Sequence, residues 1–474
     1  MSETVHNSGN ISAILSIIKQ SLKGEERDYT QGSIRLSVLL LAIPMVLEMI
    51  MESVFALVDL YFVGHLENSS YAIQTVGLTE SVLTIIYSIA IGISMAATAV
   101  VARRIGEKDS KAASKAGMQA ILIAVVINTM ISIPAFFYAK DILLLMGASE
   151  EAANHGTAFT QIMMASSIFI MLLFLINGIF RGAGNAAIAM KSLWIANIAN
   201  IILCPVFING LGFIPAYGLT GAAIATTLGR GLGVCYQLYF LFDGKGYLKM
   251  KFAYLKPQWE QIVALLKISG PGVLQFVIAS CSWIFLAQLV ASTGGDEGSA
   301  GYQTALRLLM FFLLPAWGLS NAASTLVGQN LGAKLIERAE LSVNKTAKYN
   351  VIFMIFITLL SFGAAELMVS FFTNDSGVQE VAVKALRTIS VGYVFYGVGM
   401  VLINAFNGAG DTLTPTWLNL FGFWFFQIPL AYFLAKYLNM GPEGVFIAIP
   451  VTEISITIAA YVLFKRGRWK RIEV

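Results

Sequence analysis

Charge is what this sequence has least of. Of its 474 residues only 12% are Asp, Glu, Lys or Arg, while 57% are hydrophobic, and the mean hydropathy is +0.74. A soluble domain carries about 25% charged residues, so a water-soluble fold is excluded and a polytopic membrane protein is implied. Cysteine is scarce too. Cys204, Cys235 and Cys281 each lie inside an apolar segment with no paired spacing, which excludes a disulfide framework and a thiolate metal site. His6, His65 and His155 are scattered. There is no Walker motif, which excludes ATP-driven transport by this chain. An Asp-rich metal motif, a His/Asp pair and a Ser/Lys nucleophile site are all missing, which argues against a membrane-embedded enzyme. Met1 to Thr30 lacks the basic flank, apolar core and small-residue site of a cleavable signal. The net charge of +4 matters less for its sign than for where the basic residues sit, and no nucleic-acid partner is expected.

What the chain has instead is long apolar runs. Segments near 36–63, 71–101, 117–138, 158–180, 190–209, 219–242, 262–291, 299–327, 350–372, 382–406, 416–437 and 444–464 reach membrane-crossing length. The expected fold class is all-α, with about twelve transmembrane helices. Ahead of them, Ile11, Ile14, Leu15, Ile18 and Leu22 keep helical spacing beside Lys19 and Lys23, as in an amphipathic helix on a membrane surface. Basic residues favour alternate connections: Arg103, Arg104, Lys108, Lys111 and Lys115; Arg181 and Lys191; Lys245 to Lys256; Lys334 to Lys348; and the tail from Lys465. By the positive-inside rule both termini are predicted to be cytoplasmic, and the expected location is a prokaryotic inner or plasma membrane.

The two halves repeat each other. SMAATAVVARRIG from Ser94 resembles SNAASTLVGQNLG from Ser320, and FRGAGN from Phe180 resembles FNGAGD from Phe406, both at an offset of 226 residues. Pro44 and Pro271 stand 227 apart. An offset of six spans gives both halves the same topology, hence parallel repeats and two six-helix lobes with a central cleft. The predicted organisation is an N-terminal segment 1–35, an N-lobe 36–242, a linker 243–261, a C-lobe 262–465 and a basic tail 466–474.

The costliest residues lie in the first span. Glu48, Glu52 and Asp59 occupy a stretch long and apolar enough to cross a bilayer. The step from Glu48 to Glu52 turns a helix about 40°, and the step to Asp59 about 20°, so the three share one stripe. Carboxylates at membrane depth must face protein, water or an ion, and the stripe is read as the wall of a cation-binding cavity. The matching segment, Pro271 to Ala291, has no acid. In span 5, Asn197, Asn200 and Cys204 share a face.

These motifs resemble the multidrug and toxic compound extrusion (MATE) family. The resemblance is carried by the proline-led first span ending in VDLYFVG, by GLTESV, RRIGEKD, FRGAGN and YGLTGAAIAT, and by YQTALR and VGQNLGA, over about residues 35 to 465. It implies a twelve-helix, two-lobed antiporter that exports organic cations and amphiphilic drugs in exchange for sodium or protons. Asp59 matches the family's first-helix aspartate, Asn200 its fifth-helix asparagine, and Asn177 a fourth-helix polar position, so sodium at Asp59, Asn200 and Asn177 is what the resemblance implies. The chain also departs from family branches. Cys204 stands where one proton-coupled branch has Asp, and Ala279 where another has Glu; Tyr393 to Phe406 contains no acid.

The candidate coupling residues are therefore Asp59, Glu52, Glu48, Asn200, Asn177 and Asn197, with sodium and proton both open. Glu453, the only deep acid in the C-terminal half, joins Gln275, Met49 and Phe55 as candidates for substrate contact in the cleft. No cofactor is expected beyond the coupling ion. The expected partners are a cationic or amphiphilic small molecule, a monovalent cation and membrane lipid, and the chain is read as a monomer. The rival transporter reading is a flippase or exporter of a lipid-linked or other specific metabolite. Such a cavity would be lined with basic groups, whereas here the acids are in the membrane and the bases mostly in loops.

Overall fold

A computed structural model of the chain describes residues 10–25, 27–64, 69–212 and 214–472. Among the described residues there is no strand beyond one isolated bridge, Leu211 to Ile214. That is the outcome lipid imposes, since a helix satisfies its own backbone groups. A helix α1 (Asn10–Ser21) precedes α2 (Ile34–Gly64), α3 (Ser69–Gly106), α4 (Ser110–Phe137) and the short α5 (Ala139–Leu145). Next, α6 (Glu150–Ala165) and α7 (Ser167–Gly182) run end to end, followed by α8 (Ala186–Asn209) and α9 (Gly218–Phe242). α10 (Trp259–Gly332) is 74 residues long but breaks at Gly295, with φ 60° and ψ −154°, and so holds two passages. Then come α11 (Ile336–Gly363), α12 (Ala365–Ser370), α13 (Ser376–Ser390) and α14 (Tyr393–Gly408). Beyond α15 (Leu413–Asn419), α16 (Ile428–Tyr432) lies between two wide-turn π-helical stretches, Leu420–Gln427 and Phe433–Tyr437, and α17 (Pro442–Arg466) closes the series.

Among the described residues, nine helices are long and apolar enough to cross a membrane, or up to ten with the α13–α14 pair, which is bent by 55°. α10, broken at Gly295, is long enough for two of the passages expected from the sequence, while α9 is 25 residues long and is not among those nine. Helix ends run past the apolar segments. α4 begins at Ser110 rather than near 117, because the Asp109 carboxylate accepts from the Ala112 amide at 2.8 Å and caps it. The ninth passage lies earlier than expected: α11 starts at Ile336 and ends at Gly363.

The chain packs into two compact units. The first is Met1–Leu22, Asp28–Val46 and Leu274–Val474; the second is Lys23–Arg27 and Leu47–Val273. These borders differ from those expected, because they cut α2 and α10 instead of falling in the linker. Within the second unit, Gly92 and Gly272 meet backbone to backbone, and a Cβ on Gly92 would lie 2.7 Å from the Val273 amide. The first turns of α10 are thereby held against α3. The linker is held as well: Gln119 donates to the carbonyls of Tyr254 (2.6 Å) and Lys256 (3.0 Å) and accepts from the Gln258 amide (3.0 Å). In both α2 and α10 the hand-over follows shortly after the repeated proline, Pro44 or Pro271.

The repeat holds at the level of single dihedrals and caps. Lys108 and Lys334 both adopt left-handed backbone (φ 63° and 62°), as do Gly184 and Gly410 (φ 85° and 86°). Asn185 caps α8 through the Ile188 amide, and Asp411 accepts from the amide of Thr414. A Cβ on Gly182 would lie 2.8 Å from the Thr98 carbonyl oxygen, and one on Gly408 2.3 Å from that of Ser324. In a membrane, small residues like these let helices approach closely. Gly408→Ala should therefore lower stability by about 1–3 kcal/mol, read as a lower unfolding temperature in detergent. Gly363→Ala, whose Cβ meets nothing within 4 Å, should leave it unchanged.

Candidate functional site

In the second unit, the acids of α2 meet side chains of α7 and α8. Glu48 is 2% exposed, and a bare carboxylate there would be very costly. Its charge is met by Arg181 from the last turn of α7: Nη1 lies 3.2 Å from Oε1 and 3.5 Å from Oε2. Helical side chains lean toward the helix N-terminus, so a residue at the end of α7 reaches back into the span. Asn177, one turn earlier, donates to Glu48 Oε1 at 2.9 Å. The Asn177 carbonyl oxygen accepts from Ser192 (2.9 Å) and from Gln237 (2.6 Å). With both lone pairs engaged, Asn177 would have to break these bonds to ligate an ion.

Glu52 lies one turn further along α2 and is half-buried. It accepts from Asn197 Nδ2 on α8 at 3.0 Å and has no ion pair among the described residues. The guanidinium carbon of Arg230 on α9 lies 5.5 Å from the ring centroid of Tyr87 on α3. Asn200 points elsewhere, donating to Thr226 of α9 at 2.8 Å. Asp59 belongs to α2, but its side chain lies outside the described residues. Met49 and Phe55 are buried in protein at 4% and 8% exposure. The stripe on α2 thus divides into a compensated acid, Glu48, and an uncompensated one, Glu52.

The first unit holds a neutral version of the same clasp. Gln275 stands 227 residues after Glu48, and Asn407 stands 226 after Arg181. Gln275 Nε2 donates to the Asn407 carbonyl at 3.2 Å and to the Thr412 carbonyl at 3.0 Å, and Asn407 Nδ2 returns a bond at 3.4 Å. Two amides here replace a carboxylate and a guanidinium. Gln275 is accordingly a packing clasp in the first unit, at 3% exposure. Glu453 is at 7% exposure on α17, beside Tyr393 and Tyr396 of α14.

Arg181, Ser192, Gln237 and Arg230 were not among the expected site residues. In sequence, Arg181 reads as one of the basic residues of a connection. Arg230 stands inside the apolar segment 219–242, and the rarity of charge at that depth was signal enough to find it. Ser192 and Gln237 carry no such mark.

The family model described as MatE matches residues 44–206 and again 271–433. A Thermotoga maritima relative named probable multidrug resistance protein NorM is 24% identical over 458 residues, covering 96% of this chain and 97% of its own. A Shewanella oneidensis relative named FAD transporter is 24% identical, covering 87% and 90%. Among solved structures, the outward-facing conformation of a multidrug resistance MATE family transporter aligns with a TM-score of 0.87 at 26% identity, covering 94% of this chain and 98% of that one. A MOP superfamily transporter from Pyrococcus furiosus aligns equally well, with a TM-score of 0.87 at 26% identity and the same coverage. The twice-repeated match and the two-fold internal structure agree, and the chain belongs to the MatE family of multi-pass membrane transporters, not enzymes.

Proposed function

We propose that this transporter is an ion-driven antiporter that exports cationic or amphiphilic small molecules, coupled to sodium or protons through the acids of α2. The observation that carries the reading is Glu52: a half-buried carboxylate with a single amide donor and no paired base among the described residues. Such a group has capacity for a proton or a hard monovalent cation. Glu48, already matched by Arg181, is a poorer acceptor, so Glu52 and Asp59 carry the coupling, with Asn197 as the amide ligand. Pro44 stands just before the hand-over of α2 between units, where a lost helix hydrogen bond eases bending. Occupancy of the acids can therefore bias the two lobes between inward and outward states. The positions of the basic connections support cytoplasmic termini by the positive-inside rule. The relatives' multidrug names and the acids at membrane depth both support a cationic substrate.

A second reading is favoured by one feature, the Arg230–Tyr87 contact on α9 and α3. A guanidinium over an aromatic ring at membrane depth suits an anionic aromatic metabolite, and one relative is named FAD transporter. The test is export from cells lacking their own efflux pumps. Expression of the chain should lower steady-state accumulation of a fluorescent lipophilic cation such as ethidium and leave flavin release unchanged. Flavin release without dye efflux would replace the first reading by the second.

A further inference from the structure

The first unit contains an acid that the coupling scheme above does not use. Glu453 of α17 is 7% exposed, and its Oε1 is buried without a hydrogen-bond partner among the described residues. The Tyr393 hydroxyl, also buried, likewise has none. Both line one small cavity with Trp283, Tyr396, Gly392 and Pro450, the rest of the wall being leucine and isoleucine. Among the described residues no lysine or arginine lines it. The groups facing Glu453 can be taken element by element. α14 presents Tyr393 and Tyr396, α10 presents Trp283 and two leucines, and α13 presents Ile389. None of residues 413–437 lines the cavity, and among the described residues the titratable groups lining it beside Glu453 are the two tyrosines.

We propose that Glu453 is a proton-binding site, separate from the acids of α2, that takes up and releases one proton through a water shared with Tyr393. Size and charge both select this ligand. The space for the centre of a water is about 10 Å³, the lower limit for one water and too small for an organic cation. A hard metal cation would seek about six oxygens, which one carboxyl and two phenols do not supply. An unpaired carboxylate in such a wall is strongly disfavoured, whereas the neutral acid can donate to the shared water. The chemistry is only the addition of a proton to a carboxylate oxygen and its loss to water. The position suits control of shape. α13 and α14 bend by 55° at this level, and a Cβ on Gly392 at the bend would lie 2.8 Å from the Pro450 Cα of α17. Ionisation of Glu453 draws water into that joint, and protonation lets it close.

The proposal does not rest on the coupling role given to Glu52 and Asp59, and its test does not use transport. Infrared difference spectra of the purified full-length protein, titrated from acid to alkaline pH in sodium-free buffer, read protonated carboxyls directly. Wild type should show a buried carbonyl-stretch band at neutral pH that is absent from Glu453→Gln and shifted in Glu453→Asp. The band should persist in Glu52→Gln and shift in Tyr393→Phe. Thermal unfolding of Glu453→Gln should match wild type at neutral pH, since Gln mimics the neutral acid. A band unchanged in Glu453→Gln overturns the proposal. So does a Glu453 carboxyl that responds to sodium and not to pH. Should the Gln variant not fold, the band position in Glu453→Asp decides: a shift supports the site and no shift removes it.

Discussion

Arg181→Ala should be the most destabilising single substitution in the second unit. It strips the guanidinium from Glu48, which is 2% exposed and whose remaining donor is Asn177 at 2.9 Å. Breaking a buried ion pair from one side costs about 3–5 kcal/mol, chiefly because the other charge stays buried. The expected result is a large fall in unfolding temperature in detergent and a smaller amount of folded protein in the membrane. The first unit shows how to repair the loss. Its clasp, Gln275 with Asn407, performs the same helix-to-helix join without charge. The double variant Glu48→Gln with Arg181→Asn reproduces that amide pair and should recover most of the lost stability. Glu48→Gln alone should cost less than Arg181→Ala, because Arg181 is 13% exposed and its charge can still reach water. If Arg181→Ala unfolds at the wild-type temperature, Glu48 is not the buried partner that the geometry describes.

The second large effect is functional. Asp59→Asn and Glu52→Gln should each reduce energised export to background while the amount of protein in the membrane stays near wild type. Both changes keep size and polarity and remove only the capacity to hold a proton or a cation. For Glu52 the expectation rests on its amide partner, Asn197, and on its having no paired base among the described residues. For Asp59 it rests on the match to the family's first-helix aspartate. A stability effect is not expected at Glu52, because a neutral Gln still accepts from Asn197. Export and protein level, measured in the same cells, separate the two kinds of defect: loss of both would mark a folding residue. A Glu52→Gln variant that exports at wild-type rate would remove this acid from the coupling site.

Much of the fold could be read from the residues alone. The constant offset of 226 anticipated repeated backbone geometry, and Lys108 with Lys334 and Gly184 with Gly410 keep it to within a degree. Where the sequence was silent, the reasons are physical. Apolar windows mark lipid, while helix ends obey caps, and so Asp109 starts α4 well before its apolar segment. A polar linker reads as the border between lobes, whereas Gly92 against Gly272 binds the start of α10 to α3. Nothing in hydropathy reports a glycine-to-glycine approach. At the site, a shared stripe on α2 does not by itself fix which helix each acid meets. Residues one turn apart on α2 meet different helices, so Glu48 finds Arg181 on α7 and Glu52 finds Asn197 on α8. Asn197 and Asn200 differ by about 60° around a helix axis, enough to send one to α2 and the other to Thr226 on α9.

The most direct measurement is uphill transport by purified protein in liposomes under one imposed gradient at a time. A fluorescent cation should accumulate against its own gradient when a sodium gradient or a proton gradient is applied, and not when neither is. Asp59→Asn should abolish accumulation under either gradient while still allowing downhill exchange of the dye. Accumulation by Asp59→Asn equal to wild type, or wild-type accumulation with no ion gradient at all, would contradict coupling through the acids of α2.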